Sequence, residues 1–111
     1  MSGYYVLKKS GDQYMFNLKA GNHETILTSE RYTSRSGADA GIKSVRANGP
    51  LDARYERLTA KDDSPYFNLK AGNGEVIGRS EMYSSVAARE NGINSVRSNS
   101  LTEDVRDQTG S

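Results

Sequence analysis

Apolar and polar residues alternate along the early part of the chain, between Tyr14 and Ala20. Apolar side chains occupy positions 14, 16, 18 and 20, and Met15, Asn17 and Lys19 lie between them. Because successive side chains of a strand point to opposite faces of a sheet, this period of two predicts a β-strand. Strand-like runs at Tyr4–Leu7 and Glu24–Thr28 flank it, with turn residues between. The stretch is therefore predicted to form a three-stranded antiparallel meander.

The spacing of apolar residues then changes to that of a helix. Ala38, Gly41, Ile42 and Val45 recur at intervals that place them on one face of an α-helix. The hydroxyl pairs at 33–34 and 84–85 are suited to cap the first turn, and Gly-Pro at 49–50 ends the first helix. The mid-helix glycines at 41 and 92 predict a close approach of the helix backbone to the sheet, since each costs about 1 kcal/mol relative to alanine.

The whole pattern occurs twice. When the sequence is shifted by 51 positions, the heptapeptide at 16–22 matches the one at 67–73, and Ser44-Val45-Arg46 matches Ser95-Val96-Arg97 without a gap. A repeat of this kind indicates two copies of one supersecondary unit. Each copy is too small to bury a robust core alone, so we predict a single domain, residues 1–111, built from repeats at about 3–51 and 54–107.

The predicted fold class is α+β. Two tandem β-β-β-α(-β) repeats form one antiparallel sheet, both helices pack on one face, and a pseudo-twofold axis relates the halves. The optional last strand is the segment Leu101–Asp107, a short edge strand. Under the 51-residue shift Tyr55 is the counterpart of Tyr4.

The repeated motif is specific enough to suggest a family. Phe-Asn-Leu-Lys-Ala followed by Gly-Asn, then Tyr-x-Ser before Gly-Ile-x-Ser-Val, resembles the YegP family of small uncharacterised bacterial proteins over nearly the whole chain. The resemblance implies strands and a helix in each repeat, one common sheet, and C-terminal strands exchanged between repeats. It implies that single-repeat members pair as dimers, so the tandem chain is expected to be a monomer. It implies no established activity and supplies no catalytic residues.

Composition narrows the picture further. The chain has no cysteine, which excludes disulfides, zinc–thiolate sites and thiol nucleophiles and fits a cytoplasmic location. No stretch reaches the roughly 18 apolar residues that cross a bilayer, and the N-terminus lacks the features of a secretory signal, so no membrane association is expected. The formal net charge is +1, which by itself does not favour nucleic acid as a partner.

No motif points to a catalytic, cofactor or metal site. His23 is the only histidine, lies in a predicted turn and is matched by Gly74 in the second copy. A catalytic base requires a positioned partner, and none is evident. Gly72-Asn73-Gly74 lies between two strands rather than before a helix, which is typical of a turn and not of a phosphate loop. The predicted catalytic, metal and cofactor sets are therefore empty.

The face of the sheet that points away from the helices is the first candidate site. If Phe16, Leu18 and their counterparts face the helices, polar and aromatic residues face solvent, together with Tyr4 and Tyr55. The candidate ligand-binding residues are Asn17, Lys19, Tyr66, Asn68 and Lys70. This pattern favours a non-enzymatic binding or interaction module, with a solvated sheet face as the simpler interpretation. Single-stranded nucleic acid is an alternative ligand, because tyrosines stack bases and lysines contact phosphates.

Glu30 and Glu81 form a second candidate set. They occupy matching positions in the two repeats and are predicted to lie near the repeat junction. Paired carboxylates perform general acid–base catalysis when their environments separate their pKa values, so a small enzyme is a further alternative. The structural interpretation is that both carboxylates favour the positive ends of the helices that follow.

Overall fold

The computed structural model describes residues 3–110 of the chain. Seven strands and two α-helices follow one another in the order β1 Tyr4–Ser10, β2 Gln13–Lys19, β3 Thr25–Ser29, α1 Arg35–Asn48, β4 Tyr55–Thr59, β5 Pro65–Lys70, β6 Val76–Arg79, α2 Val86–Asn99 and β7 Val105–Gln108. A single turn of 3₁₀ helix, Asp52–Arg54, connects α1 to β4. The predicted β-β-β-α units are both present, and the short last strand begins four residues later and ends one residue later than its predicted range of 101–107.

All seven strands form one sheet in the order β4-β5-β6-β3-β2-β1-β7. Neighbouring strands are antiparallel except at one edge, where β7 runs parallel to β1 with Tyr5 opposite Val105. The sheet is therefore mixed rather than wholly antiparallel as the sequence suggested. The parallel pairing arises because β7 follows the second helix and crosses to the first repeat, which is the strand exchange that the family resemblance implied.

The two halves join where β3 meets β6. Thr28 lies opposite Arg79 and Ser29 opposite Gly78 in an antiparallel register. On each side of this seam a serine hydroxyl accepts from a strand amide, Ser29 Oγ from Phe16 N and its counterpart Ser80 Oγ from Phe67 N, both at 2.9 Å. These paired bonds follow the predicted pseudo-twofold relation.

Both helices cover the same face of the sheet. Their N-caps are Ser34 and Ser85, whose hydroxyls accept from the amides of Gly37 and Ala88, as the sequence predicted. Each helix packs on its own repeat and also on the other: α1 contacts β5 and β6, and α2 contacts β2 and β3. One continuous core results, which includes the fully buried Phe16, Leu18, Phe67 and Leu69 on the helix side of the sheet.

The predicted outward orientation of Tyr55 is wrong. Tyr55 lies in the core, and its hydroxyl donates to the carbonyl of Gly49 at 2.7 Å, just as the hydroxyl of Tyr5 donates to the carbonyl of Ser100 at 2.6 Å. The structural counterpart of Tyr55 is therefore Tyr5, at a shift of 50. The first hairpin is one residue shorter than the second, so the 51-residue shift aligns everything except the first strand of each copy.

The mid-helix glycines make room for a tyrosine ring. A Cβ atom at Gly92 would lie 2.6 Å from Cζ of Tyr83, and one at Gly41 would lie 2.7 Å from Cζ of Tyr32. At Gly41 the ring of Phe16 on β2 is also only 3.0 Å away. The predicted close approach to the sheet thus explains part of the requirement for glycine at these positions. The tyrosine that precedes each helix explains the larger part.

Candidate binding surfaces

The outer face of the sheet, which points away from the helices, is rich in positive charge. Alternation along the paired strands places five cationic side chains and one carboxylate on it, namely Lys8, Lys19, Lys70, Arg79 and Arg106 with Glu56. A second carboxylate, Asp104, lies just before β7 and pairs with Arg106 at 3.2 Å. The whole chain is nearly neutral, with 15 basic and 14 acidic residues. Positive charge is therefore concentrated on the outer face, and the rest of the molecule carries the excess of negative charge. The net charge alone does not reveal this uneven distribution.

Asn17 and Asn68 hold neighbouring strands together. Asn17 Nδ2 donates to Thr28 Oγ1 on β3 at 2.9 Å. Asn68 Nδ2 donates to Glu56 Oε1 on β4, and Asn68 Oδ1 accepts from Arg79 Nε on β6. Both asparagines are buried, at 6% and 5% exposure, so little of either side chain is presented to a ligand. Their strand-bridging contacts account for an amino acid that is otherwise poor in strands.

The second repeat presents an aromatic and cationic cluster beside Asn68. The guanidinium of Arg79 lies over the ring of Tyr66, 5.7 Å from its centroid. Lys70 Nζ donates to Glu56 Oε2 at 3.0 Å, and this bond is the main cause of the lowered pKa of Glu56. The flat Tyr66–Arg79 pair is partly accessible, which gives the outer face a surface on which planar groups can stack.

The first repeat presents a different cluster on the same face. Arg106 from β7 lies over the ring of Tyr4, 3.7 Å from its centroid, and the Tyr4 hydroxyl is 2.7 Å from Nδ1 of His23. His23 adopts a positive φ of 71°, the conformation that Gly74 takes in the matching turn. The lone histidine thus has a local partner. Tyr4 lies on the outer face as predicted, but it does not face solvent, because Arg106 covers its ring and only 8% of the residue is exposed. Lys8 and Lys19 lie nearby and form no ion pair within the described part of the chain.

Glu30 and Glu81 lie in two separate clefts on the helix side. One cleft, of about 370 Å³, is lined by Glu30 and Tyr32 of the first repeat and by Glu75 of the second. The other, of about 230 Å³, is lined by Glu81 and Tyr83 of the second repeat and by Glu24 of the first. Each cleft is built from both repeats, as expected for a junction. The two carboxylates do not lie in one site, because the pseudo-twofold relation produces two copies of the cleft and each copy contains one of them.

The tyrosine of each cleft is kept protonated. Burial raises the pKa of Tyr83 to about 12, and the carboxylates of Glu81 and Glu24 add to the effect. The pKa of Tyr32 is also raised, by burial and by the nearby carboxylate of Glu30. A phenol with a raised pKa is a poor base or nucleophile near neutral pH. What the clefts offer is a neutral hydroxyl beside two carboxylates.

Two further features of the described residues bear on the class of protein. Among residues 3–110, no group of three or more histidine, aspartate or glutamate side chains is arranged to hold a metal ion. Neither helix of that same stretch combines the length and the apolar character that a membrane span requires.

The fold and its surfaces define a small α+β protein made of two strand-exchanging repeats. The sequence matches the family model described as a domain of unknown function (DUF1508) twice, at residues 10–56 and 60–107. The chain belongs to this family, whose relatives include the YegP proteins that its motifs predicted. The first matched segment begins at the last residue of β1 and ends within β4. The second begins directly after β4 and ends within β7.

Relatives of this family cover almost the whole chain. A UPF0339 protein of Bordetella pertussis is 67% identical over 109 residues, covering 98% of both chains, and YegP of Escherichia coli K12 is 53% identical over 110 residues, covering 98% of this chain and all of YegP. The solution structure of the E. coli protein superimposes with a TM-score of 0.94 at 54% identity, covering all of this chain and 97% of the other. That of a UPF0339 protein from Shewanella oneidensis gives 0.92 at 58% identity, covering 98% and 93%. The fold is confirmed, and no specific function is indicated by these relatives.

Sequence reasoning missed part of the outer face. Lys8 follows Tyr4 and Val6 at alternate positions, so the same alternation could have placed it on the outer face. Arg79 and Arg106 lie in strands of only four residues. Their placement depends on the β3–β6 seam and on the crossing of β7 to β1, which no local pattern reveals.

Proposed function

We propose that the protein is a non-enzymatic binding module whose outer face binds single-stranded nucleic acid. The observation that supports this most strongly is the concentration of cationic side chains on one flat face of a nearly neutral molecule. An open sheet with lysines, arginines and an accessible tyrosine combines attraction for phosphates with a stacking surface for bases. The candidate residues Lys19, Tyr66 and Lys70 are the ones positioned to contact the ligand directly, and Asn17 and Asn68 bridge the strands that carry them.

A single reaction site that uses Glu30 and Glu81 together receives no support from two separate clefts. The cysteine-free composition favours the cytoplasm, where single-stranded nucleic acid is present. Each repeat already has the other as its neighbour across the β3–β6 seam, so we propose that the binding unit is the monomer.

An NMR titration of the isotopically labelled chain with an eight-nucleotide oligothymidine tests the proposal. Shift changes are expected at Lys8, Lys19, Tyr66, Lys70 and Arg79. Affinity is expected to fall as salt rises, with a logarithmic slope of about −2 to −3 if three or four phosphates are neutralised. The replacement Tyr66→Ala is expected to cost about 1–3 kcal/mol of binding free energy, the usual value of one stacked base.

The matched variants Lys19→Gln and Lys43→Gln separate the two sides of the molecule. Lys43 is exposed on α1, on the opposite side from the outer face. Lys19→Gln should weaken binding and flatten the salt slope by somewhat less than one, while Lys43→Gln should do neither. Equal effects of the two variants, or shift changes gathered on the helices, would refute the proposed surface. Equal affinity for polyphosphate would show that only anions, not bases, are bound.

A further inference from the structure

One corner of the outer face differs between the two repeats. In the first repeat this corner holds the ring of Tyr4, whose hydroxyl is 2.7 Å from Nδ1 of His23 and whose face is covered by Arg106. At the matching positions, which lie 50 residues on for the first strand and 51 for the turn, the second repeat has Arg54 and Gly74. The second repeat therefore lacks both rings, and Arg106 lies on β7 at the opposite edge of the sheet.

A pocket of about 350 Å³ lies at this corner. Arg54, Glu56 and Lys70 line it together with two glycines of the following turn, Gly72 and Gly74. The register of β4 and β5 sets Tyr55 opposite Leu69, and one further pair in the same register brings Arg54 opposite Lys70. Two cations from adjacent segments thus line the pocket, and the glycines add no side chain that would fill it.

The guanidinium of Arg54 is held in one orientation. Its Nε donates to Asn48 Oδ1 at 2.9 Å, and the amide of Asn48 is fixed in turn by its bond to the carbonyl of Ser44. The guanidinium also lies against Gly72, where a Cβ atom would be 3.5 Å from Nη2 and 3.9 Å from Cζ. In the described part of the chain its two Nη atoms make no hydrogen bond and no ion pair. These two nitrogens remain available to bind two oxygens of one anion.

Lys70 contributes a second charge that is only partly engaged. Its Nζ donates to Glu56 Oε2 at 3.0 Å, and an ammonium group has two further N–H groups to donate. Glu56 is the one carboxylate among the residues that line the pocket. Because Lys70 offsets the charge of Glu56, the charge of Arg54 is uncompensated. The pocket differs from a phosphate loop, since side chains rather than a helix N-terminus supply its positive charge.

We propose that this pocket binds the terminal phosphate of a nucleic-acid strand that lies on the outer face. This role depends on the binding function proposed above, because Lys70 and Glu56 line the pocket and also belong to that face. A terminal phosphate monoester carries about 1.5 to 2 negative charges at neutral pH, so it can engage both cations. It is also attached to the strand on one side only, and can therefore enter a pocket that an internal phosphate cannot.

Three forms of an eight-nucleotide oligothymidine test the proposal. One has a 5′-phosphate, one has a 3′-phosphate, and one has hydroxyls at both ends. We expect at least one phosphorylated form to bind about tenfold more tightly than the hydroxyl form, the usual effect of a charge-assisted hydrogen bond. The additional NMR shift changes should lie at the amides of Gly72 and Gly74 and at the side chain of Arg54. Equal affinities of the three forms would overturn the proposal.

Protein variants separate the pocket from a general attraction for charge. The double variant Arg54→Tyr/Gly74→His gives this corner the residues of the first repeat, and Gly74 has a positive φ of 88° where His23 already adopts 71°. At about pH 8, where an ordinary imidazole is neutral, the affinity ratio of phosphorylated to hydroxyl form should fall to about one. Arg54→Gln should lower the ratio in the same way, whereas Lys43→Gln, on the opposite side of the molecule, should leave it near ten. A ratio that survives both changes at Arg54 would refute the pocket.

The same titrations tell the two proposals apart. If the hydroxyl form binds the outer face and the ratio is one, the pocket is refuted and the outer face is retained. If no form binds, the outer face is refuted and the strand-end role with it. Thymidine 5′-monophosphate provides the last comparison. If it binds as tightly as the phosphorylated oligonucleotide, the pocket accepts a free nucleotide and not the end of a strand, which would also overturn the proposal.

Discussion

Gly92 shows how one residue in a helix is fixed by a contact outside it. Alanine at this position would improve helix propensity by about 1 kcal/mol. Its Cβ would nevertheless lie 2.6 Å from Cζ of Tyr83, and such overpacking usually costs about 1–3 kcal/mol. The cost exceeds the gain over most of that range, so we expect Gly92→Ala to lower the free energy of unfolding by up to about 2 kcal/mol, measured by urea denaturation.

A control and a double-mutant cycle test the assigned cause. Asn94→Ala, at an exposed position of the same helix, should be neutral or slightly stabilising. Adding Tyr83→Phe removes the hydroxyl that lies nearest the new methyl group, so the double variant should lose less than the sum of the single losses. Strict additivity would show that Tyr83 is not the obstacle.

The buried tyrosines predict a loss of stability at alkaline pH. Burial raises the pKa of Tyr83 to about 12, and it raises the pKa values of Tyr5 and Tyr55 as well, whereas an unfolded tyrosine titrates near 10. Between these values the unfolded chain releases protons that the folded chain retains. The free energy of unfolding should therefore be unaffected below about pH 10 and should fall as the pH rises toward 12.

Urea denaturation at several pH values, combined with tyrosinate absorbance, measures this effect. The last tyrosines should ionise together with the loss of the far-ultraviolet circular dichroism signal. A constant unfolding free energy between pH 9 and 12 would contradict the assigned burial.

At the scale of the elements, most of the fold was predictable from local signals. The strand and helix periods and the serine caps each lie within a short stretch of sequence, and the duplication is visible when the chain is compared with itself. What local signals did not reveal was the first-strand register, because a one-residue difference in hairpin length changes the counterpart of Tyr55 from Tyr4 to Tyr5. The direction of β7 was also hidden, since a four-residue strand with a single strongly apolar residue, Val105, indicates a strand but not its neighbour.

The exposure of β7 predicts that it opens before the rest of the sheet. All four of its residues are exposed, so little apolar burial holds it to β1. Native-state hydrogen exchange should give the Tyr5 amide, which donates to Asp104, an opening free energy below that of the Phe16 amide at the centre of the sheet. Arg35→Ala, which removes the ion pair with Asp107, should lower the Tyr5 value by a further 0.2–1 kcal/mol or so and leave Phe16 unchanged. Equal protection of both amides would mean that β7 unfolds only with the whole domain.

For the whole molecule, the candidate site could be predicted only in part. Lys19, Tyr66 and Lys70 were found from alternation because a strand's two faces can be read from its own sequence. The partition of charge between the two sides and the terminal position of β4 in the sheet are properties of strand order. They depend on the β3–β6 seam and on the crossing of β7, so they become visible only when both repeats are placed in one sheet.

Because of that same seam, we expect the two repeats to unfold as one unit. Leu27 of the first repeat is fully buried and packs beside Gly78 of the second, where an added Cβ would lie 3.0 Å from Leu27 Cγ. Leu27→Ala should cost about 2–5 kcal/mol, and because each helix also packs on the other repeat, both halves should lose stability equally. Amide intensities of Phe16 and Phe67 followed through a urea titration should keep a common midpoint that shifts together, while Leu101→Ala, at a site 62% exposed, should leave it unchanged. Separate midpoints for the two amides would show that each repeat folds alone, and the duplication would then have joined two domains instead of completing one.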